Sequence, residues 1–384
     1  MPEMTRASLL RMRPRDPAEP FRSASSLELF FDLVFVVAVS LSSQSLWRLE
    51  AGDELGAGVL AYLMVFFAIW WAWMNFTWFA TSFDTDDWLY RVTTIVQMGG
   101  ALVLAAGTGN AMEHQDWTLV TVGYAIMRLP MVAQWLRAAA SHPDLRATAL
   151  RYAGAIAAVQ LLWLLRLLLP APLALPSFFL LVLAEVSVPI WAERRRHTPW
   201  NPHHIADRYG CFTLVVLGES VLASVNAIVE GFHGSEQHGQ LAVVSIAALV
   251  TAAGLWWVYF SREQDFHIVS LRSSLVFGYS HYLIFAAAGS FSAGVEVAIG
   301  SVLGEGELGH VTAAATLSLP VACFVVGVWL LTLRRLLPGG ASALYLAGAA
   351  TVLAGTFLPG IGPVLAVALG TVLAAAATEL HRRA

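Results

Sequence analysis

Long apolar stretches occupy most of this chain. An α-helix needs about 20 mainly apolar residues to cross the hydrocarbon core of a bilayer, and stretches of that length recur along all 384 residues. Twelve of them are assigned as spans: 26–46, 58–80, 92–111, 117–137, 150–169, 173–192, 208–229, 241–260, 274–297, 312–333, 341–358 and 361–380. The sequence therefore predicts an all-α, polytopic integral membrane protein with about 12 transmembrane helices. A re-entrant hairpin is an open alternative for the last two spans, which the segment PGIGP (359–363) separates.

The composition agrees with this class and excludes several functions. Hydrophobic residues make up 58% of the chain and charged residues 12%, whereas about 25% of the residues in a soluble domain are charged. The net charge of −4 averages over segments that face different solvents, so it says little about partners, and no feature of the sequence supports a nucleic-acid partner. No nucleotide-binding loop, nucleophile elbow or HExxH motif occurs. We therefore predict no enzyme activity, no cofactor and no metal centre.

The distribution of arginine predicts how the chain is oriented. All 22 basic residues are Arg, and positive residues collect in cytoplasmic loops. If the N-terminus is cytoplasmic, every Arg except Arg48, Arg128 and Arg166 falls in a cytoplasmic segment or tail. We therefore expect both termini in the cytoplasm.

Similar segments recur in the two halves of the chain. Residues 69–73 (IWWAW) in the second span resemble residues 255–259 (LWWVY) in the eighth. A Leu-Pro pair at 129–130 in the fourth span recurs at 319–320 in the tenth. Because the matches keep their order along the chain, they indicate an internal repeat.

The predicted domains follow from this repeat. A disordered cytoplasmic tail covers residues 1–25, and the first six-helix repeat covers 26–193. A cytoplasmic linker, 194–207, leads to the second six-helix repeat, 208–384. With six spans each, both repeats insert in the same orientation, as in transporters built from parallel repeats.

Acidic residues interrupt the first and seventh predicted spans. Glu28 and Asp32 are four residues apart and share one helix face, and Asp32 lies on the order of 8 Å inside the span. A carboxylate at such a depth normally faces a cavity, a partner or an ion route. For Glu28, snorkelling to the headgroup water stays open, and Asp207 could be a helix N-cap. The predicted ion or substrate pathway comprises Glu28, Asp32, Ser40, Asp207, Glu219, Ser220, Arg128 and Glu185.

Arg128 is the basic member of that set. A buried Arg is costly unless it is paired, and the candidate partners are Asp32, Glu185 and Glu219. The pair could be a structural tie between helices or a counter-ion that tunes a transported charge. The sequence leaves both alternatives open.

A second polar group is predicted at the cytoplasmic mouth. Three aspartates, Asp84, Asp86 and Asp87, could attract cations there or pair with the arginines at 194–196. His203 and Asp207, or His204 and Asp207, are one helical turn or less apart and could share a metal, but spacing fixes no third ligand. The predicted mouth residues are Asp84, Asp86, Asp87, His203, His204 and Arg208.

Two of these stretches carry a family resemblance. Residues 26–38 (SLELFFDLVFVVA) and 203–220 (HHIADRYGCFTLVVLGES) resemble the bacterial low temperature requirement protein A (LtrA) family. The resemblance implies a multi-pass protein of the bacterial plasma membrane, linked to growth at low temperature. Residues 28–38 are also similar, more loosely, to the first helix of potassium channels with an FSD motif, although Phe31 stands where those channels have Ser.

Together these observations predict a membrane transport protein of LtrA type. Solute movement would be coupled to a cation or a proton along a polar route between the two repeats. The expected partners are the lipid bilayer and a small ion or solute, with a homodimer as an open assembly. A passive cation channel and an intramembrane enzyme or scaffold acting on lipids are the alternatives.

Overall fold

The described part of the chain is built from helices. The computed structural model describes residues 10–19, 22–52, 55–232, 237–305 and 308–380, and no strand occurs among them. The α-helices are α1 (Ser26–Ala51), α2 (Leu55–Phe83), α3 (Trp88–His114), α4 (Thr118–Ser141), α5 (Arg146–Arg166), α6 (Ala171–Ala192), α7 (Pro202–Phe232), α8 (His238–Phe260), α9 (Leu271–Leu303), α10 (His310–Leu331), α11 (Gly339–Gly355) and α12 (Gly362–Glu379). The all-α prediction is confirmed.

Most of these helices have the dimensions of membrane spans. Ten helices of the described residues are long and apolar enough to cross a bilayer. The ten do not include α7, which contains side chains outside the described set, or α11, which is apolar but only 17 residues long. The architecture is that of a polytopic membrane protein, as predicted.

The chain divides into two compact units. The first contains the described residues of 1–38 and 68–208, and the second contains those of 39–67 and 209–384. Residues of α1, α2 and α7 are therefore divided between the units. The boundaries of the two sequence repeats stay a prediction.

Close helix contacts organise the first unit. A Cβ atom on Gly123 of α4 would lie 2.3 Å from the backbone nitrogen of Leu104 in α3, so only glycine fits there. Further along the same pair, a Cβ atom on Gly107 would lie 2.7 Å from the nitrogen of Val120. The two helices therefore run antiparallel with their backbones almost touching. Trp135 of α4 stacks on Tyr152 of α5 at 4.2 Å between ring centroids.

The second unit uses small residues in the same way. A Cβ atom on Gly348 of α11 would lie 2.5 Å from the carbonyl oxygen of Gly370 in α12. One on Gly294 of α9 would lie 2.5 Å from the carbonyl oxygen of Thr316 in α10. Small residues let helix backbones approach closely, and the resulting van der Waals packing holds helices together in lipid, where the hydrophobic effect gives no driving force between them.

The segment before α1 is fastened to the first unit. Arg22 donates to the carbonyl oxygens of Thr81 at 2.7 Å and Ala80 at 3.0 Å, which satisfies acceptors in the last turn of α2. The backbone nitrogen of Met12 donates to Ser141 Oγ at 3.2 Å, and the Met12 side chain is buried. Residues 1–9, 20 and 21 of the predicted disordered tail lie outside the described residues. The described part of the tail makes specific contacts.

Candidate functional site

The first acid of α1 belongs to a capping box. The backbone nitrogen of Ser25 donates to Glu28 Oε2 at 2.8 Å, and the nitrogen of Glu28 donates to Ser25 Oγ at 3.3 Å. This reciprocal pair is the S-x-x-E capping box, and it satisfies two free donors at the start of α1. Glu28 is buried within the protein, so the snorkelling alternative is wrong.

The start of α7 places two basic side chains on one face. Asn201 caps this helix, because its Oδ1 accepts a hydrogen bond from the backbone nitrogen of His204 at 3.0 Å. Pro202 occupies the first helical position, where its missing N–H costs nothing. His204 and Arg208 are then one turn apart and project together. The predicted N-cap role of Asp207 is wrong because α7 begins earlier; Asp207 Oδ2 accepts from the nitrogen of Ala24 at 2.9 Å.

Four side chains from α1 and α7 form what we call the charge cluster: Glu28, Asp32, His204 and Arg208. Arg208 donates two hydrogen bonds to the Asp32 carboxylate, from Nη2 at 2.5 Å and from Nε at 3.2 Å. Its Nη1 lies 3.0 Å from Glu28 Oε1, and His204 Nε2 lies 3.1 Å from the same oxygen. All four side chains are at most 2% exposed. The cluster is an ionic site sealed inside the first unit.

The surroundings of the charge cluster are aromatic. Trp73 of α2 donates from Nε1 to Asp32 Oδ1 at 2.7 Å, and Arg208 lies 5.9 Å from the ring centroid of Phe76. With both carboxylates ionised beside the one guanidinium, the cluster carries one negative charge when His204 is neutral and no net charge when His204 is protonated. Uncompensated charge is strongly unfavourable in such an environment.

A separate ion pair joins α4 to α6. Arg128 Nη2 donates to Glu185 Oε2, and both side chains are at most 2% exposed. Glu185 accepts three further hydrogen bonds, from Trp71 at 2.8 Å, Tyr124 at 2.9 Å and Trp163 at 3.3 Å. Of the three partners that the sequence left open for Arg128, the structure selects Glu185. Because the Glu185 carboxylate already accepts four hydrogen bonds, the structure favours the structural alternative, in which the pair ties helices together.

The second unit holds an acidic cavity of about 450 Å³ between α1, α7 and α9. Glu219 and Glu296 line it, together with Gln44 and Asn226. Ser40 donates to Glu219 Oε1 at 3.0 Å, so two predicted pathway residues are in contact. Ser220 is buried next to them and donates to the carbonyl oxygen of Leu217 at 2.6 Å.

The three predicted mouth aspartates have different partners. Asp84 lies 3.7 Å from Arg22 Nη2, and burial raises the pKa of Asp84 to about 6. The hydrogen bond from Arg91, with Nε at 2.8 Å, lowers the pKa of Asp86. Pairing with the arginines at 194–196 was one alternative for these aspartates, and the ion pairs to Arg22 and Arg91 contradict it for Asp84 and Asp86.

Asp87 is the N-cap of α3. It accepts from the backbone nitrogen of Tyr90 at 2.9 Å and forms an ion pair with Arg137. Although burial opposes the change, these bonds hold the pKa of Asp87 below its usual range. The cap and the pair fasten the cytoplasmic-side loop that was predicted between α2 and α3.

The predicted metal-sharing group does not converge. His203 Nδ1 lies 3.4 Å from the carbonyl oxygen of Arg22, His204 contacts Glu28, and Asp207 accepts from the nitrogen of Ala24. Each of the three side chains therefore has a different neighbour. No group of three or more His, Cys, Asp or Glu side chains able to hold a metal occurs in the described residues.

Comparison with known proteins decides the family. The family model described as "Bacterial low temperature requirement A protein (LtrA)" matches residues 23–378, nearly the whole chain. The chain belongs to the LtrA family. It is also similar to the uncharacterized protein RA0937 of Rhizobium meliloti (strain 1021), with 26% identity over 289 residues that cover 69% of this chain and 68% of that protein. No solved structure matches this LtrA chain.

The two stretches that resemble the LtrA family meet in space. Glu28 and Asp32 come from the first stretch, and His204 and Arg208 come from the second, so the charge cluster joins them. The sequence placed His204 and Arg208 at a cytoplasmic mouth and did not pair them with α1. Their i, i+4 spacing, which matches that of Glu28 and Asp32, was the available signal.

Other polar contacts within this LtrA protein were also missed. Glu296 is the one acid in the apolar run of α9, residues 291–300, and that isolation was a usable signal. Trp71 and Trp73 were expected to pack or to face lipid, whereas both donate to buried carboxylates. Phe31, at the position of Ser in FSD-motif channels, is buried against Phe76 at 4.0 Å between ring centroids, so no hydroxyl is offered there.

Proposed function

We propose that this LtrA protein is a transport protein of the bacterial plasma membrane that couples solute movement to protons. The charge cluster is the observation that carries the proposal. Its two carboxylates and one guanidinium leave one negative charge, and His204 lies 3.1 Å from Glu28. One proton on His204 makes the cluster neutral. A site that gains or loses a single proton inside a membrane protein is the part that a proton-coupled carrier requires.

The burial of the site supports a controlled exchange of that proton. The side chains of His204 and Arg208 are fully buried, so neither contacts bulk water in this conformation. His204 Nδ1 has no hydrogen-bond partner among the described residues. Proton exchange then requires a second conformation in which the imidazole meets water. That requirement ties protonation to conformation, which is the basis of coupling.

Two further features support parallel repeats around α1 and α7. Glu28 contacts His204 while Asp32 contacts Arg208, so the residue numbers rise together and the two helix segments run parallel. Helices α4 and α10 each contain an internal proline, Pro130 and Pro320, at matching places in the proposed repeats. Parallel repeats with cytoplasmic termini would give α1 and α7 equivalent positions.

The test uses a substitution that preserves the local structure. Glu28→Gln keeps the capping box, because a glutamine oxygen also accepts from the nitrogen of Ser25, but it removes the charge that His204 faces. On solid-supported membranes carrying reconstituted protein, a pH jump should give a transient current in the wild type. That current should fall at least tenfold in Glu28→Gln and in His204→Asn. Glu263→Gln, an exposed acid in the α8–α9 connection, is the control and should leave it unchanged.

Two outcomes separate the proposal from its competitors. An undiminished pH-jump current in Glu28→Gln, with the protein still monodisperse, would refute proton binding at the charge cluster. A passive cation channel is the second candidate, because the described lining of the cavity contains the acids Glu219 and Glu296 and no basic side chain. Such a channel would show a sustained current that needs no pH gradient and that survives His204→Asn.

A further inference from the structure

We propose that a basic surface at one end of the first unit binds the headgroup of an anionic phospholipid, such as phosphatidylglycerol. Five arginines from the start of α5 and from the segment that follows α6 form this surface, which we call the basic patch: Arg146, Arg151, Arg194, Arg195 and Arg196. The inference goes beyond proton coupling at the charge cluster. Lipid binding can be measured without any transport, so the two proposals fail separately.

Hydrogen bonds bring the two segments of the basic patch together. Thr148 Oγ1 of α5 donates to the carbonyl oxygen of Arg196 at 2.9 Å. Arg151 Nη1, also of α5, donates to the carbonyl oxygen of Ala192 at 3.3 Å, at the end of α6. The segment after α6 is therefore held against the first two turns of α5, and the arginines of both segments share one surface.

The acids near the basic patch leave most of its charge uncompensated. Glu193 is only 4% exposed, and its Oε1 accepts hydrogen bonds from Tyr152 at 2.9 Å and Thr198 at 2.7 Å, so this carboxylate is engaged inside the unit. Asp144 lies 3.5 Å from Arg196 Nη2, and both side chains are more than half exposed. An ion pair of such exposure contributes little. Five arginines against two carboxylates give the patch a net positive charge.

Three of the arginines have donors to offer a ligand. Arg146, Arg194 and Arg195 are exposed, and their guanidinium groups form no hydrogen bond or ion pair with any described residue. A guanidinium presents its N–H donors in a planar fork that matches the oxygens of a phosphate group. The phosphate of a lipid headgroup supplies both the negative charge and those acceptor oxygens.

The helix surface next to the basic patch is apolar and exposed. Only 22% of the apolar stretch of α6 is buried, the lowest share among the ten candidate spans of the described residues. In the last turn of α6, Ile190 is 45% and Trp191 44% exposed, and Leu150 of α5 is also 45% exposed. Tryptophan is enriched where a membrane meets water. An acyl chain can therefore lie along these side chains while its headgroup meets the arginines, which favours a phospholipid over a soluble anion.

Native mass spectrometry of the full-length protein, released from detergent micelles with added lipid, tests the proposal. We expect phosphatidylglycerol to bind at least about tenfold more tightly than phosphatidylcholine with the same acyl chains. The triple variant Arg194→Gln, Arg195→Gln, Arg196→Gln should lose this preference. A double variant, Arg334→Gln with Arg335→Gln, is the matched control, because it removes two exposed arginines from the second unit. The control should keep the preference of the wild type.

A soluble competitor separates a lipid from a free anion. Glycerol phosphate carries the phosphate of the headgroup without acyl chains, and at the concentration of the lipid it should not displace phosphatidylglycerol. Displacement at that concentration would overturn the lipid assignment. Equal binding of the two lipids, a preference that survives in the triple variant, or an equal loss in the control would overturn it as well.

Arg146→Gln supplies a second arm if the triple variant does not fold. Arg146 is exposed in the first turn of α5, so its replacement leaves the hydrogen bonds between the two segments in place. Removing this one charge should weaken phosphatidylglycerol binding about fivefold. Unchanged affinity in a monodisperse Arg146→Gln protein would count against the basic patch.

Discussion

Removing Glu185 should destabilise the first unit, and a second substitution should restore part of the loss. In Glu185→Leu, Arg128 keeps its charge in a buried position without its carboxylate, which costs about 3–5 kcal/mol. Tyr124, Trp71 and Trp163 also lose their common acceptor, at about 1–3 kcal/mol each. Adding Arg128→Met removes the buried charge but leaves those three donors as they are. The double variant should therefore be more stable than Glu185→Leu by about 3–5 kcal/mol.

Unfolding by sodium dodecyl sulfate in mixed micelles, followed by tryptophan fluorescence, measures this difference. Arg166→Met provides the matched control, because Arg166 is also buried yet bonds to the carbonyl oxygen of Ala174. Combined with Glu185→Leu, it should give no rescue. If Arg128→Met fails to rescue, or if Arg166→Met rescues equally well, the charge argument is refuted.

Three further predictions concern the first unit. Because burial raises the pKa of Asp84 to about 6, its neutral form is favoured on folding. The stability that the neutral Asp84 carboxyl contributes is complete below about pH 4 and is lost as the pH rises through 6. In thermal unfolding, the unfolding free energy of Asp84→Asn relative to that of the wild type should therefore increase by up to about 3 kcal/mol between pH 4 and pH 7. Asp87→Ala should lower the unfolding free energy by about 1–2 kcal/mol, whereas Asp87→Asn, which keeps the cap, should cost less than half as much; equal losses would contradict the cap. Gly123→Ala should cost about 1–3 kcal/mol because its Cβ meets the α3 backbone, while Gly99→Ala, with open space around it, should be neutral in the same assay.

The sequence predicts the helices of this protein better than it predicts their contacts. Hydrophobic runs of about 20 residues identify membrane helices because lipid imposes one length on every span. The all-α class and the approximate positions of the twelve α-helices followed from that rule. The exact start of α7 did not, because its first six residues, 202–207, include His203, His204 and Asp207 and precede the continuous apolar run.

The candidate site was predictable in part. Spacing showed that Glu28 and Asp32 share a face, and a buried carboxylate implied a polar neighbour. The identity of that neighbour depends on which helix packs against α1 and at what height, and neither follows from residue spacing along one helix. Arg208 was therefore assigned to a cytoplasmic mouth, although it forms the ion pair with Asp32.

Arg128 illustrates the same limit on predicting contacts from sequence. Its need for a partner followed from the cost of burying a guanidinium, and Glu185 was one of three candidates. Only the packing of α4 against its neighbours in the first unit selects among them. The three indole and phenol donors around Glu185 come from helices α2, α4 and α5, and no pattern within any one of those helices indicates that they meet.

The indoles of α2 have a mechanical consequence. Trp71 and Trp73 are two residues apart, so they leave the helix about 200° apart around its axis, one toward Glu185 and the other toward Asp32. A rolling motion of α2 about its own axis would swing both rings away from their carboxylates and break two hydrogen bonds together. A motion that carries α2 along with the helices bearing those carboxylates would break neither. Large rearrangements in this unit should therefore move α2 together with α1 and α6 as one rigid group, because Trp71 and Trp73 bond to those two helices on opposite sides of α2.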